Sequence, residues 1–257
     1  MINYLFYIYM FIMGAVFASF FGVIIARVPN NQSIVKPSSR CDECGHELKW
    51  YENVPIVSYI CLKGRCSKCK TKIDGFYFIY EIIGGLTLLG VSYRYGISID
   101  CLFVSFIALL LLLIAGYDYK THYVLDCFLI ILFVLCFIYF LYRVLVLKED
   151  FIIYIISVIC AILFFVLLRV IMSKIMNREA MGLGDVYLVG IMALILEPFE
   201  FVLAILFASL FGSIISIIRI KTNKDDRTDE IAFCPYLCFG FYMILIFGNK
   251  LVSLLLG

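Results

Sequence analysis

Apolar residues run almost unbroken over 3–27, 76–92, 101–117, 127–147, 151–171, 185–197, 199–219 and 235–256, and charged residues collect between these runs. About 20 apolar residues let a helix cross the ~30 Å hydrocarbon layer, whereas a closed barrel of spanning strands would not be this continuously apolar. The pattern predicts an all-α polytopic membrane protein with about eight transmembrane helices. Only Glu197-Pro198 separates the short sixth run from the seventh, so those two form either a re-entrant hairpin or two full spans. The one sizeable polar segment divides the chain into a first helix over 1–27, a loop domain over 28–75 and a membrane domain over 76–257. On the first helix, Gly14, Ala18 and Gly22 form a small-residue ridge suited to close helix packing.

Composition agrees with the pattern. The chain is 64% hydrophobic and 16% charged, which excludes an ordinary soluble domain. Its start has no small-x-small cleavage site followed by a polar region, so it reads as a retained span and not a signal peptide. The net charge of +2 is uninformative about partners; the lipid bilayer is the expected partner, and no nucleic acid is expected. The distribution of charge is more telling. With the N-terminus outside, 17 of the 21 Lys and Arg residues face the cytoplasm, among them Arg178, Lys224 and Arg227, and only Arg94, Arg143, Lys148 and Lys250 lie outside.

The polar segment carries Cys41-Asp-Glu-Cys44 and Cys66-Ser-Lys-Cys69, 21 residues apart. This lies just beyond the usual zinc-ribbon spacing. Each pair offers two thiolates from one tight turn, and four complete a tetrahedral Zn²⁺ site. In a reducing cytoplasm disulfides suit these thiols less well. Cys61 and His46 lie between the pairs, but four cysteines already close a structural site, which leaves His46 as a polar loop residue. The other six cysteines lie in or beside apolar runs and read as small hydrophobes. Trp50-Tyr-Glu-Asn-Val-Pro-Ile-Val-Ser-Tyr59 has more character than a linker. It builds either a small pocket beside the metal or a face packed on the membrane surface.

Two aspartates close apolar runs: Asp118 ends Ile114-Ala-Gly-Tyr-Asp118, and Asp185 ends Met181-Gly-Leu-Gly-Asp185. A carboxylate at a bilayer edge is costly to hold ionised and usually functional. Two in one partly dry site can share a proton, as in aspartic proteases. Taken singly, each has an ordinary explanation: a solvated helix-terminating loop residue for Asp118, a helix N-cap for Asp185. Gly182 and Gly184 would allow close backbone approach and unusual angles. Tyr117 and Tyr119 are candidates to line the cleft, Asp126 is a cap or secondary site residue, and His122 is an interfacial loop residue.

Together these segments resemble the bacterial type IV prepilin peptidases, GxGD membrane aspartic proteases that act as leader peptidases and N-methyltransferases. The resemblance rests on Ala18-Ser-Phe-Phe-Gly-Val-Ile-Ile-Ala-Arg-Val-Pro29, on the CxxC pairs flanking Trp50-Tyr-Glu-Asn-Val-Pro55 and Lys63-Gly-Arg-Cys66, and on Gly75-Phe-Tyr-Phe-Ile-Tyr-Glu81. Asp118 with Asp126, and then Gly182-Leu-Gly-Asp185, complete it in order. The chain departs from the family pattern at Gly22, Leu125, Tyr187 and Ala232-Phe-Cys234, none of them a presumed catalytic group.

The resemblance implies removal of a basic leader from prepilins or pseudopilins at the cytoplasmic face of the bacterial cytoplasmic membrane, with Asp118 and Asp185 as the catalytic pair. It further implies methylation of the new N-terminal residue from S-adenosylmethionine. Residues 28–75 would be the methyltransferase part and 76–257 the peptidase part. Gly64 is the methyl-transfer position most expected to matter, with Glu43, Asn53, Pro55 and Glu81 as further candidates. Two other readings remain: a presenilin-like or signal-peptide-peptidase-like protease cutting within the bilayer, and a non-proteolytic zinc or thiol membrane protein.

Overall fold

The computed structural model describes residues 2–41, 43–176, 181–222 and 232–256. Among them lie helices α1 (Ile2–Arg27), α2 (Val57–Cys61), α3 (Gly75–Tyr95), α4 (Ile99–Thr121), α5 (Asp126–Leu145), α6 (Phe151–Met176), α7 (Leu183–Ala193), α8 (Pro198–Lys221) and α9 (Cys234–Leu256). Each apolar run has become a helix, and only the five-residue α2 falls outside them. Strand pairing among the described residues is limited to two isolated bridges, Arg40 with Glu47 and Arg65 with Lys72. Arg178, Lys224 and Arg227, which entered the charge count, lie outside the described residues.

Among the described residues six helices, α1, α3, α4, α5, α6 and α8, are long and apolar enough to cross a membrane. Helix α7 has 11 residues, a rise of about 16 Å, roughly half the hydrocarbon layer. Its backbone tightens as it ends: the Leu194 amide donates to Ile191 O at 3.2 Å and the Ile195 amide to Met192 O at 3.2 Å. Such i→i−3 bonds close a helix in a 3₁₀ turn. Pro198 then opens α8, where its fixed φ and missing N–H cost nothing. The sixth apolar run is therefore a short helix and a turn, tied closely to the seventh.

The chain forms two compact units, Met1–Cys101 and Leu102–Gly257. In the first, α1 packs along α3 through glycines on both sides. A Cβ on Gly14 would sit 2.1 Å from the Gly84 carbonyl oxygen, and one on Gly84 would sit 2.4 Å from the Ala18 Cβ. The small-residue ridge of α1 thus meets a second on α3. Gly22 faces the Tyr77 ring at 3.0 Å, so a larger side chain there would need that ring to move. Gly84→Val is expected to destabilise this pair by about 1–3 kcal/mol or more, since backbone cannot yield as a side chain can. Thermal unfolding in detergent checks this, and an unchanged midpoint would refute the packing.

In the second unit α7 is the core. Val186, Leu188, Val189, Met192, Ala193, Ile195 and Leu196 are all buried. A helix apolar all round belongs inside a bundle, and α7 packs against α5 and α6. Those neighbours turn Ile130, Val134, Leu163 and Leu167 outward, as helices surrounded by lipid do. Helices α8 and α9 approach closely at Gly240, where a Cβ would lie 2.3 Å from Ala204 O.

Candidate functional site

In the second unit, Asp118 lies in the last turn of α4 and is 5% exposed. Its Oδ2 is buried and makes no hydrogen bond within the protein. Buried polar oxygens are nearly always bonded, so an orphan of this kind needs an explanation. Asp185 is the third residue of α7, after the extended N-cap Gly182, and so stands in the first turn and not at the cap. There the helix dipole favours negative charge.

Two contacts join these segments. A Cβ on Gly184 would lie 3.2 Å from the Cβ of Val124, so the turn before Asp185 rests on the loop after Asp118. The two carboxyl groups are close enough to interact electrostatically. The buried Cys234, first residue of α9, is within range of both, which puts the departure over 232–234 beside the pair. Gly184 is favoured by close packing, since a Cβ there would press on Val124. Gly182 is not: its φ of −67° suits any residue, and a Cβ there would meet only Gly184 N at 3.9 Å. Asp126 opens α5 and is exposed. Tyr117 is buried edge-on against Phe128. Tyr119 instead helps line a cavity of about 570 Å³, with His122, Arg219, Phe211, Tyr236 and Phe239.

In the first unit the two CxxC pairs form matching knuckles. In one, the Cys41 amide donates to His46 O and the Gly45 amide to Cys41 O, both at 2.9 Å. In the other, the Cys66 amide donates to Thr71 O at 2.9 Å and the Lys70 amide to Cys66 O at 3.1 Å. The fourth residue after each leading cysteine, Gly45 or Lys70, takes a left-handed φ of 65° or 61°. The four sulfurs lie within 4.8 Å of one another, with Cys41 to Cys69 at 3.7 Å and Cys44 to Cys66 at 3.9 Å. Tetrahedral Zn–S bonds of about 2.3 Å require S···S edges of about 3.8 Å. The cluster thus fits a metal ion of that kind. Hydrogen bonding to Thr71, its hydroxyl 3.2 Å away, lowers the Cys69 thiol to about 6, so a thiolate is at hand at neutral pH.

Glu52, not among the expected site residues, ties the knuckles together. Its buried carboxylate bonds the Ser67 hydroxyl, accepts from the Lys49 amide at 2.8 Å and lies 3.2 Å from His46 Nε2. These bonds, that to Ser67 foremost, hold it at about 2. The signal was a lone carboxylate in an aromatic stretch between two CxxC pairs. His46 is therefore this carboxylate's partner.

A cavity of about 950 Å³ lies beside this cluster, with Arg27, Glu43, Asn53, Tyr59, Asp74 and Glu81 in its wall. Small-molecule pockets run to roughly 300–1,000 Å³. Gly64 and Pro55 do not line it. Gly64 stands behind Tyr59, at a φ of 66° and with room for no Cβ, which would lie 2.9 Å from the tyrosine ring. That ring stacks on Phe78 at 4.6 Å. Glu81 Oε2 accepts the Ile56 amide at 2.7 Å. It thereby pins a β-branched residue at a φ of 63°, a conformation such residues adopt only under constraint. Asn53 and Tyr59 thus serve a pocket, while Trp50, Val57 and Ile60 are exposed.

Comparison with known proteins follows the same division. The model of the bacterial Peptidase A24 N-terminal domain matches residues 12–95, and that of the type IV leader peptidase family matches 105–217. The prepilin leader peptidase/N-methyltransferase of Myxococcus xanthus is 32% identical over 216 residues, covering 84% of this chain and 64% of the relative's length. That of Bacillus subtilis is 25% identical over 244 residues and 95% of both chains. That of Pseudomonas aeruginosa is 26% identical over 222 residues, 85% of this chain and 74% of the relative. No solved structure matches the chain. With both family models in chain order over most of its length, the chain belongs to the type IV leader peptidase family.

Proposed function

We propose that this protein is a membrane aspartic endopeptidase that removes the basic leader from type IV prepilins or pseudopilins and methylates the new N-terminal residue. The observation that carries the reading is that Asp118 and Asp185, on separate helices, come within electrostatic range of each other, with a buried Asp118 oxygen bonded to no protein group. The pair shares one proton. The ionised aspartate takes a proton from water as its oxygen attacks the scissile carbonyl, while the protonated one hydrogen-bonds the carbonyl oxygen. When the tetrahedral intermediate collapses, a proton passes to the leaving amine, the C–N bond breaks and the dyad is restored. With the N-terminus outside, both carboxyls lie at the cytoplasmic edge of the bacterial cytoplasmic membrane. There a basic leader joins an apolar helix.

The tetracysteine cluster takes a structural Zn²⁺, and the neighbouring cavity takes S-adenosylmethionine, which supplies an electrophilic methyl group. Glu43, Asn53 and Glu81 would hold it. A carboxylate in the wall such as Glu43 takes a proton from the substrate amine, which must be neutral to attack. Gly64→Ala should push Tyr59 into this space and lower methyl transfer by at least about tenfold, with leader cleavage unchanged. Equal methylation by variant and parent would remove Gly64 from the account.

The test of the whole is incubation of the purified protein with a prepilin and labelled S-adenosylmethionine. Leader loss with label on the new N-terminus is expected. An uncut prepilin, or a cut in the middle of its apolar helix, would overturn the reading.

A further inference from the structure

We infer that Arg143 is a positioning residue for the peptidase: it anchors the far end of α7 and so sets the height of Asp185 beside Asp118. This rests on the proposed function, and the anchoring itself can be tested without it.

Helix α7 ends after 11 residues, and the turn that follows is buried at Ile195 and Leu196, so the backbone carbonyls of that turn face protein. Such orphan acceptors need a donor. Arg143, 52 residues earlier and in the last turn of α5, supplies one: its Nη1 donates to Ile195 O at 2.8 Å. A cation there also suits the negative end of the α7 dipole.

The guanidinium is itself held firmly. Its Nε meets Glu149 Oε2 at 2.7 Å, and the Tyr154 hydroxyl donates to the same carboxylate oxygen at 2.6 Å. The guanidinium carbon lies 4.9 Å from the Tyr154 ring and 5.8 Å from the Tyr139 ring. Side chains of α5 and α6 and of the connection between them therefore fix one donor aimed at α7. A donor held this way, bonded to a backbone carbonyl 52 residues on, calls for a purpose.

The purpose follows from how α7 is otherwise gripped. Apolar walls resist its tilting but set its height along the axis only loosely. Specific contacts set that height, among them Gly184 on Val124 at the start, Gly190 on Ile162 midway and Arg143 on Ile195 at the end. Asp185 lies one residue from the first. A displacement of about 1 Å in a reacting group can lower a rate on the order of 100-fold.

Arg143→Gln should therefore lower kcat for prepilin cleavage on the order of 100-fold, with KM within about twofold of the parent. Arg143→Lys keeps a donor for Ile195 O and should restore most of it. Tyr154→Phe, which frees Glu149 from one bond and leaves the packing intact, should give a smaller loss in the same direction. A direct readout needs no activity. A Val124→Cys, Gly184→Cys double variant places two thiols on Cβ atoms about 3.2 Å apart, near disulfide range. Its oxidative crosslinking in detergent, followed by peptide mapping, should fall several-fold when Arg143→Gln is added. Unchanged crosslinking, or an unchanged kcat in both Arg143→Gln and Tyr154→Phe, would overturn the inference. If the parent protein leaves prepilin uncut, the proposed function fails, and the crosslinking still decides the anchoring.

Discussion

Asp118→Asn and Asp185→Asn are each expected to lower prepilin cleavage by on the order of 10³-fold or more, while methyl transfer to a pre-cleaved pilin continues. Asparagine keeps the volume and shape of each side chain, so the buried position of Asp118 and the first-turn position of Asp185 should survive. What is lost is proton exchange. An amide can neither take a proton from water nor deliver one to the leaving amine. Because the two carboxyls act as a unit, the double variant should be no slower than either single one. A multiplicative loss would mean that the two act separately, and normal cleavage by either single variant would sink the dyad. Retained methylation matters as much, since it shows that the first unit has not been damaged.

Loss of one of the four proposed zinc ligands should be nearly as severe for the proposed methyl transfer. Cys66→Ser removes a buried sulfur from the centre of the cluster. Structural zinc binding to small domains is worth about 10–16 kcal/mol at pH 7, as much as the whole stability of an ordinary domain. Among the described residues of 28–75, the only regular structure to replace it is two isolated bridges, two short 3₁₀ turns and the five-residue α2. We expect metal content to fall below stoichiometric, limited proteolysis to cut between the knuckles, and methyl transfer to be lost. A variant that keeps both its zinc and its protease resistance would show that another ligand, such as the exposed Cys61, can substitute.

Much of this was legible in the sequence, because each strong signal was local. Twenty-residue apolar runs can only be helices in a membrane, and CxxC spacing makes a knuckle from its own few residues. The limits have equally physical causes. Leu194-Ile-Leu196 is as apolar as the helix before it, so hydropathy cannot report that α7 stops at Ala193. The division at residue 101 depends on α1 and α3 packing through glycines that lie 70 residues apart in sequence, Gly14 and Gly84. Arg143 counted as one charge on the outer side. Nothing in its neighbours says that its guanidinium turns back to a carbonyl in the turn after α7. The role of Glu52 also needed coordinates, since its partners are a serine inside one CxxC and a histidine just after the other.

The paired knuckles also imply an order of assembly. Each closes through bonds between residues at most five apart, and this costs little chain entropy and proceeds quickly. A zinc ion can therefore dock on one finished knuckle through two sulfurs before the second is near. Only the second docking closes the longer loop between Cys44 and Cys66, carrying Glu52 and the wall of the neighbouring cavity into place. Zinc supply during synthesis would then decide when that cavity first exists. Chains made under zinc starvation would emerge with their helices formed and that cavity still to be assembled.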